Sequence, residues 1–118
     1  MSKLDYFKAQ VEATISPMYF IRMREANPEK IMLIDVRNGT PEKMGKKIVG
    51  AINIPLENIE ERLSEIPRDK TIVVYCWQPW CNLGAHAAII LLENGYDVLE
   101  LRGGIGAWKA MDLPLEDL

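Results

Sequence analysis

Two cysteines lie five positions apart in the segment Cys76-Trp77-Gln78-Pro79-Trp80-Cys81-Asn82, and the 118-residue chain has no others. Cys76 directly follows Thr71-Ile72-Val73-Val74-Tyr75, a β-branched and apolar run that reads as a strand. Beyond the loop, Leu83, Ala87, Ile90 and Leu91 recur at helical spacing, so a helix is expected to open near the second cysteine. A turn between strand and helix can aim successive amides at one point, and the helix adds the positive end of its dipole. A thiol at the base of such a cradle ionises more readily and becomes a nucleophile. The same cradle suits a persulfide anion, an oxyanion or a phosphate. From position alone a small buried residue at a strand end reads equally well, since free cysteine is among the most buried residue types. Cys81 adds a second chemistry: it could attack a persulfide on Cys76, releasing sulfide and leaving a disulfide, or protect Cys76 from over-oxidation. The plainer alternative has Cys81 facing the core at the start of the helix.

The elements that must hold this loop follow from period and punctuation. Ser16-Pro17 is a helix entry, with Ser as N-cap and Pro at the first helical position, and the helix should stop near Asn27-Pro28. Ile31 to Val36 is a nearly continuous apolar run, as expected of a strand buried on both faces. Arg37 to Gly50 reads as a loop with room for one helical turn, and Ala51-Ile52-Asn53-Ile54 as a short strand closed by Pro55. Leu56, Ile59, Leu63 and Ile66 predict an amphipathic helix ending before Pro67. A helix after the cysteine loop should end at Asn94-Gly95, followed by a strand over Val98–Leu101, a break at Gly103-Gly104 and a last helix over Ile105–Met111. Strands alternating with helices imply an α/β fold with a central parallel sheet and helices on both faces. Ligands in such sheets sit beyond the carboxyl ends of the strands, where the cysteine loop lies.

Composition narrows the function classes. One domain over residues 1–118 is expected, with residues 1–14 as a helical N-terminal extension whose Leu4, Phe7 and Val11 share a face. The 14 basic and 17 acidic residues give a net charge of −3, which argues against a nucleic-acid partner. No apolar run is long enough to span a membrane, and no secretory signal is evident, so a cytoplasmic location is expected. Cys76, Cys81 and His86 are evenly spaced, yet a zinc site needs at least three converging protein ligands. His86 reads as a helix-surface residue, and no metal site is expected. Asp35 and Arg37, at the end of a buried strand, read as a structural pair that fixes a neighbouring loop. Gly103-Gly104 reads as a turn of unusual backbone angles or a close approach to the cysteine loop, and Trp108 as a core anchor.

Five segments stand in the order and approximate spacing of a known family. They are Leu33-Ile34-Asp35-Val36-Arg37, Gly50-Ala51-Ile52-Asn53-Ile54-Pro55, Val73-Val74-Tyr75-Cys76, Gly95-Tyr96-Asp97-Val98 and Gly103-Gly104-Ile105-Gly106-Ala107-Trp108. Over nearly its whole length the chain resembles a single-domain rhodanese-like protein. The resemblance implies a three-layer fold with a central parallel sheet, and sulfur transfer through a persulfide on Cys76. Sulfurtransferases of this kind resemble one another in a six-residue loop, against seven in related phosphatases and arsenate reductases; Cys76 to Cys81 counts six.

This chain also departs from the pattern. The family's loop arginine, which would pair with an anionic donor such as thiosulfate, is replaced by Cys81. A thiol supplies neither the fixed charge nor the forked donors of a guanidinium, so thiosulfate turnover should be poor. Trp77 and Trp80 give the loop two large rims suited to a protein or a bulky organic thiol, unless one of them packs into the core. Lys46 and Lys47 stand in an altered Gly-His-Ile-Pro-Gly segment, as surface residues or as partial compensation for the missing charge. The sequence therefore points to a sulfurtransferase with Cys76 as nucleophile, the amides of Trp77 to Cys81 as its cradle, and Gln78, Pro79 and Asn82 lining the loop. Its partners would be a sulfur donor and a thiol acceptor, with no metal or organic cofactor implied. A non-catalytic binding module and a Cys76/Cys81 dithiol redox protein remain open beside it.

Overall fold

The computed structural model describes residues 1–118. Five parallel strands form the central sheet in the order β1-β6-β5-β2-β4: β1 Thr14–Ile15, β2 Ile31–Asp35, β4 Ile52–Asn53, β5 Thr71–Tyr75 and β6 Asp97–Leu101. The central three strands carry alternating residues into two separate cores. Met32, Ile34, Ile72, Val74 and Cys76 pack on one side with Ala87 and Leu91, while Ile31, Leu33, Val73 and Tyr75 pack on the other with Phe20, Ile105 and Trp108. Helix α4 (Leu83–Glu93) covers the first face; α2 (Pro17–Ala26) and α5 (Gly104–Ala110) cover the second. This is the expected three-layer α/β arrangement, and Trp108 is fully buried within it. After β2 the chain lays β4 on one side and returns to lay β5 on the other, the arrangement that opens a crevice at the strand ends.

Local signals account for most boundaries. Ser16 accepts a hydrogen bond from the Tyr19 amide and Pro17 occupies the first turn of α2. The expected loop after Arg37 holds the one-turn α3 (Pro41–Met44). It also holds β3 (Lys46–Ile48), which pairs antiparallel with β7 (Leu115–Asp117) in a two-stranded sheet absent from the sequence reading. Lys46 and Lys47 face Asp117 and Glu116 in that sheet and do not border the cysteine loop's cavity, so they do not replace the missing arginine there.

The segment expected as an amphipathic α-helix is instead two 3-10 stretches, Leu56–Asn58 and Glu60–Glu65. The spacing explains the difference. Leu56 to Ile59 and Leu63 to Ile66 are three-residue steps, which a 3-10 turn aligns; the four-residue step between them spans Arg62, whose backbone leaves helical angles (φ −110°, ψ 17°). The N-terminal helix α1 (Lys3–Ala13) forms as expected, with a Ser2/Asp5 capping box, but none of its residues is buried and Leu4, Phe7 and Val11 are exposed.

Candidate active site

Cys76 leaves the end of β5 on the α4 side of the sheet, and its side chain is 3% exposed. The backbone is gripped at once: the Ile105 and Gly106 amides of α5 donate to the Cys76 and Trp77 carbonyls at 3.0 and 2.8 Å. Gly104 makes this possible. It sits at φ +60°, and a Cβ there would lie 2.6 Å from the Cys76 carbonyl oxygen. Both sequence readings of Gly103-Gly104, unusual angles and close approach, therefore hold. Gln78 in turn lies against Gly106. A turn with Pro79 at its second position closes by the Cys81 amide donating to the Gln78 carbonyl at 3.0 Å, and α4 begins at Leu83.

Asn82 stands at the N-cap of α4, yet its side chain makes no capping bond. The first amides of the helix are thereby left for other acceptors. Backbone near the two sulfurs favours negative charge there: Gly84 and Trp77 at Cys76, and Trp77, Leu83 and Gln78 at Cys81. Within the loop the Cys81 amide is taken by the Gln78 carbonyl and Pro79 has none, so the set differs from the expected Trp77 to Cys81.

The charge preference of the pair also differs from expectation. Burial pushes the Cys76 thiol up to about 12, reinforced by its hydrogen bond to the Cys81 side chain and only partly opposed by the Gly84 amide. Burial acts on Cys81 in the same sense but is outweighed there by hydrogen bonds from Cys76 and from the Trp77, Leu83 and Gln78 amides, so that thiol is lowered. Cys76 also donates to the Cys81 carbonyl, Sγ to O 3.5 Å. Of the two thiols, Cys76 is the one that favours its proton and Cys81 the one that ionises more readily. A readily ionised Cys76 is thus not what the loop produces, because its strand-end position costs more in lost solvation than the amides return.

Both cysteines line a cavity of about 570 Å³. Gln78, Pro79, Trp80, Cys81 and Asn82 line it, with Trp80 82% exposed at the edge. Trp77 does not. Its ring packs beneath the Arg37 guanidinium, 4.8 Å from Cζ to the centroid, and against Gly39. Four polar cavity residues were not anticipated: Gln10 of α1, Thr14 of β1, and Glu100 and Arg102 at the end of β6. The signal for the last two was available, since β6 lies beside β5 and ends at the same edge of the sheet. The Glu100 carboxyl rests against Gly84 without a hydrogen bond, and burial raises its pKa. His86 is exposed on α4, outside the cavity.

Asp35 and Arg37 form a buried ion pair at the end of β2. Both side chains are fully buried, 2.8 Å apart. The guanidinium also donates to the Met44 and Lys46 carbonyls, which pins the loop carrying α3 and β3.

The rhodanese-like domain family matches residues 16–111. The chain belongs to that family. It is 37% identical over 100 residues to a sulfurtransferase of Allochromatium vinosum, covering 80% of this chain and 87% of the relative. Identity is 32% over 95 residues to the thiosulfate sulfurtransferase GlpE of Shewanella oneidensis, covering 80% of this chain and 89% of that one. Among solved structures, a full-length protein from Lactobacillus plantarum superposes with a TM-score of 0.91 at 31% identity, covering 98% and 97% of the two chains. The match extends into α1, which precedes the family's own boundaries.

Proposed function

We propose that this rhodanese-like domain is a sulfurtransferase in which Cys76 carries sulfane sulfur as a persulfide and passes it to a thiol acceptor. The observation that carries this reading is the placement of Cys76 at the end of β5, with Cys81 beside it and α4 opening just beyond, all at the wall of an open cavity. Relatives named as sulfurtransferases support the reaction class. With a persulfide donor RS–SH, Cys76 sulfur attacks the sulfane sulfur, the donor S–S bond breaks, and the thiol proton ends on the leaving RSH. The outer sulfur of Cys76–S–SH then transfers to an acceptor thiol by the same displacement, and Cys76–SH returns. Burial disfavours a charge on Cys76 itself; extending the chain by one sulfur moves the charge outward, toward the amides and the cavity.

Thiosulfate is a poor donor in this reading. Cys81 occupies the position of the family's loop arginine, and the half-buried Glu100 places a carboxyl in the same cavity. The exposed Trp80 at the cavity edge favours an acceptor with apolar surface, such as a protein thiol. Mass spectrometry with a parallel sulfide assay, after incubation with an aryl thiosulfonate, polysulfide or a cysteine desulfurase, tests the proposal: sulfur taken up at Cys76 is read as the mass of one added sulfur or as released sulfide, and Cys76→Ser gives neither. Absence of both with every donor overturns it. That same exposed Trp80 also favours a second reading, a binding module without turnover, in which Cys76→Ser keeps its partner and its cellular phenotype.

A further inference from the structure

The strongest unexplained feature of the site is a second free thiol, Cys81, in the same loop and on the same cavity wall as Cys76. Cys81 stands in the last position of the loop, half-buried on the cavity wall, where the turn closed by its own amide folds it back toward Cys76. Cys76 Sγ lies 3.5 Å from the Cys81 carbonyl oxygen and hydrogen-bonds to the Cys81 side chain. The surrounding backbone and the Cys76 thiol together lower the Cys81 pKa despite its partial burial. A side chain that merely filled space at the start of α4 would need neither this approach to Cys76 nor a place on the cavity wall.

We propose that Cys81 is a resolving thiol: it displaces the sulfane sulfur from a persulfide on Cys76 as hydrosulfide and closes a Cys76–Cys81 disulfide. The inference rests on the persulfide reading above and adds to it a sulfide-releasing, persulfide-reducing activity. The step is Cys76–S–SH + Cys81–S⁻ → Cys76–S–S–Cys81 + HS⁻. The Cys81 thiolate attacks Sγ of Cys76, the bond from Sγ to the outer sulfur breaks, and that sulfur leaves with the electron pair. The sulfane sulfur is reduced to sulfide and the two cysteine sulfurs are oxidised to the disulfide. A dithiol reductant of low potential then restores both thiols. Thiolate character in the attacking sulfur is the requirement of such an exchange, and it falls on the cysteine that must attack second. The hydrosulfide leaves through the cavity that both cysteines line. When an acceptor thiol reaches the persulfide first, sulfur is transferred; when none does, Cys81 clears it.

The probe is an aryl thiosulfonate, which donates one sulfur and leaves an aryl sulfinate, so that any sulfide comes from the protein step. The reduced full chain is treated without oxygen and without free thiol. Sulfide is then assayed, and the protein is mapped by mass spectrometry. Expected for the wild type is sulfide equimolar with a new Cys76–Cys81 disulfide. Cys81→Ser and Cys81→Ala are expected to hold the persulfide on Cys76 and release no sulfide. A wild type that keeps a stable persulfide on Cys76, or that shows the sulfur on Cys81 without a disulfide, overturns the resolving role while leaving the carrier function standing. Absence of added sulfur and of sulfide in the wild type and both variants removes the carrier function itself. The wild-type result decides the matter even where a substitution disturbs the fold.

Discussion

Two neighbouring strands, β2 and β5, end side by side in register, Asp35 opposite Tyr75, and each delivers reactive-looking groups to the same edge of the sheet. At the end of β2 every polar atom is matched. Arg37 donates to both Asp35 oxygens, Tyr75 donates to Asp35 Oδ2 at 2.9 Å, and the Ile48 amide donates to the Tyr75 hydroxyl at 3.1 Å. Burial and the neighbouring Asp35 push the Tyr75 hydroxyl well above its ordinary value, so the cluster holds its protons in place. At the end of β5 the match is incomplete: two thiols share backbone that favours charge on Cys81 over Cys76, beside a cavity and an unpartnered carboxyl. Burial alone does not mark a reactive site. What separates the two clusters is whether a group is left with somewhere to react.

The comparison breaks most visibly at Arg37. Arg37→Ala strands the Asp35 carboxylate in the core and frees the loop that carries β3, so it should cost about 3–5 kcal/mol. That is a large share of the roughly 5–15 kcal/mol that a domain of this size possesses. Denaturant unfolding measures the loss, and a variant within 1 kcal/mol of wild type, on the order of an ordinary surface change, would show the pair to be dispensable. Gly104→Ala links the two halves of the comparison through α5. The added methyl meets the Cys76 carbonyl at a left-handed backbone position, with a cost of about 1–3 kcal/mol and a slower formation of the persulfide. Unchanged melting together with unchanged labelling of Cys76 would mean that α5 does not hold the loop.

Alkylation by iodoacetamide sharpens the polarity of the thiols. Near neutral pH the label should reach Cys81 before Cys76, and the Cys76 rate should still climb where a free thiol of pKa about 8.5 has levelled off. Peptide mapping against pH reads both; Cys76 labelled first would reverse the assignment. The smallest effect is expected at Glu100. Its raised pKa means that the folded state binds the proton more tightly than the unfolded chain. The associated stability is complete below about pH 4.3, the ordinary carboxyl value, and is lost as pH rises through the folded value. Glu100→Gln should flatten that decline by about 1 kcal/mol or less. Melting curves across the acid range test it, and a slope that survives the substitution assigns the effect elsewhere.

Much of the scaffold could be read from residue order because its signals are local. Ser16-Pro17, the apolar runs of β2 and β5, and Gly95 after α4 each act within a few residues, and the structure has the corresponding elements. What escaped depends on partners far away in the chain. β3 and β7 are three residues each, and only pairing across the fold makes strands of Lys46–Ile48 and Leu115–Asp117. The cysteine loop was legible as a place where amides converge, but not in its charge preference. That preference turns on how deeply each sulfur sits, and Cys76 and Cys81 differ in depth although they share a loop. Trp77 and Trp80 could not be told apart by type; the ring of Trp77 is claimed by Arg37 and Gly39, and Trp80 has no such neighbours.

The grip of α5 on the first two carbonyls of the loop has a mechanical meaning. The same short helix that clasps Cys76 and Trp77 on one side presents Trp108 to the opposite core, where the indole Nε1 donates to the Pro114 carbonyl at 2.8 Å. Loosening at the sulfur would therefore be felt as loosening across the sheet, near the tail strand β7. The reactive edge and the far layer are clamped by one seven-residue bracket, and a ligand that tightens the first should slow amide exchange in the second.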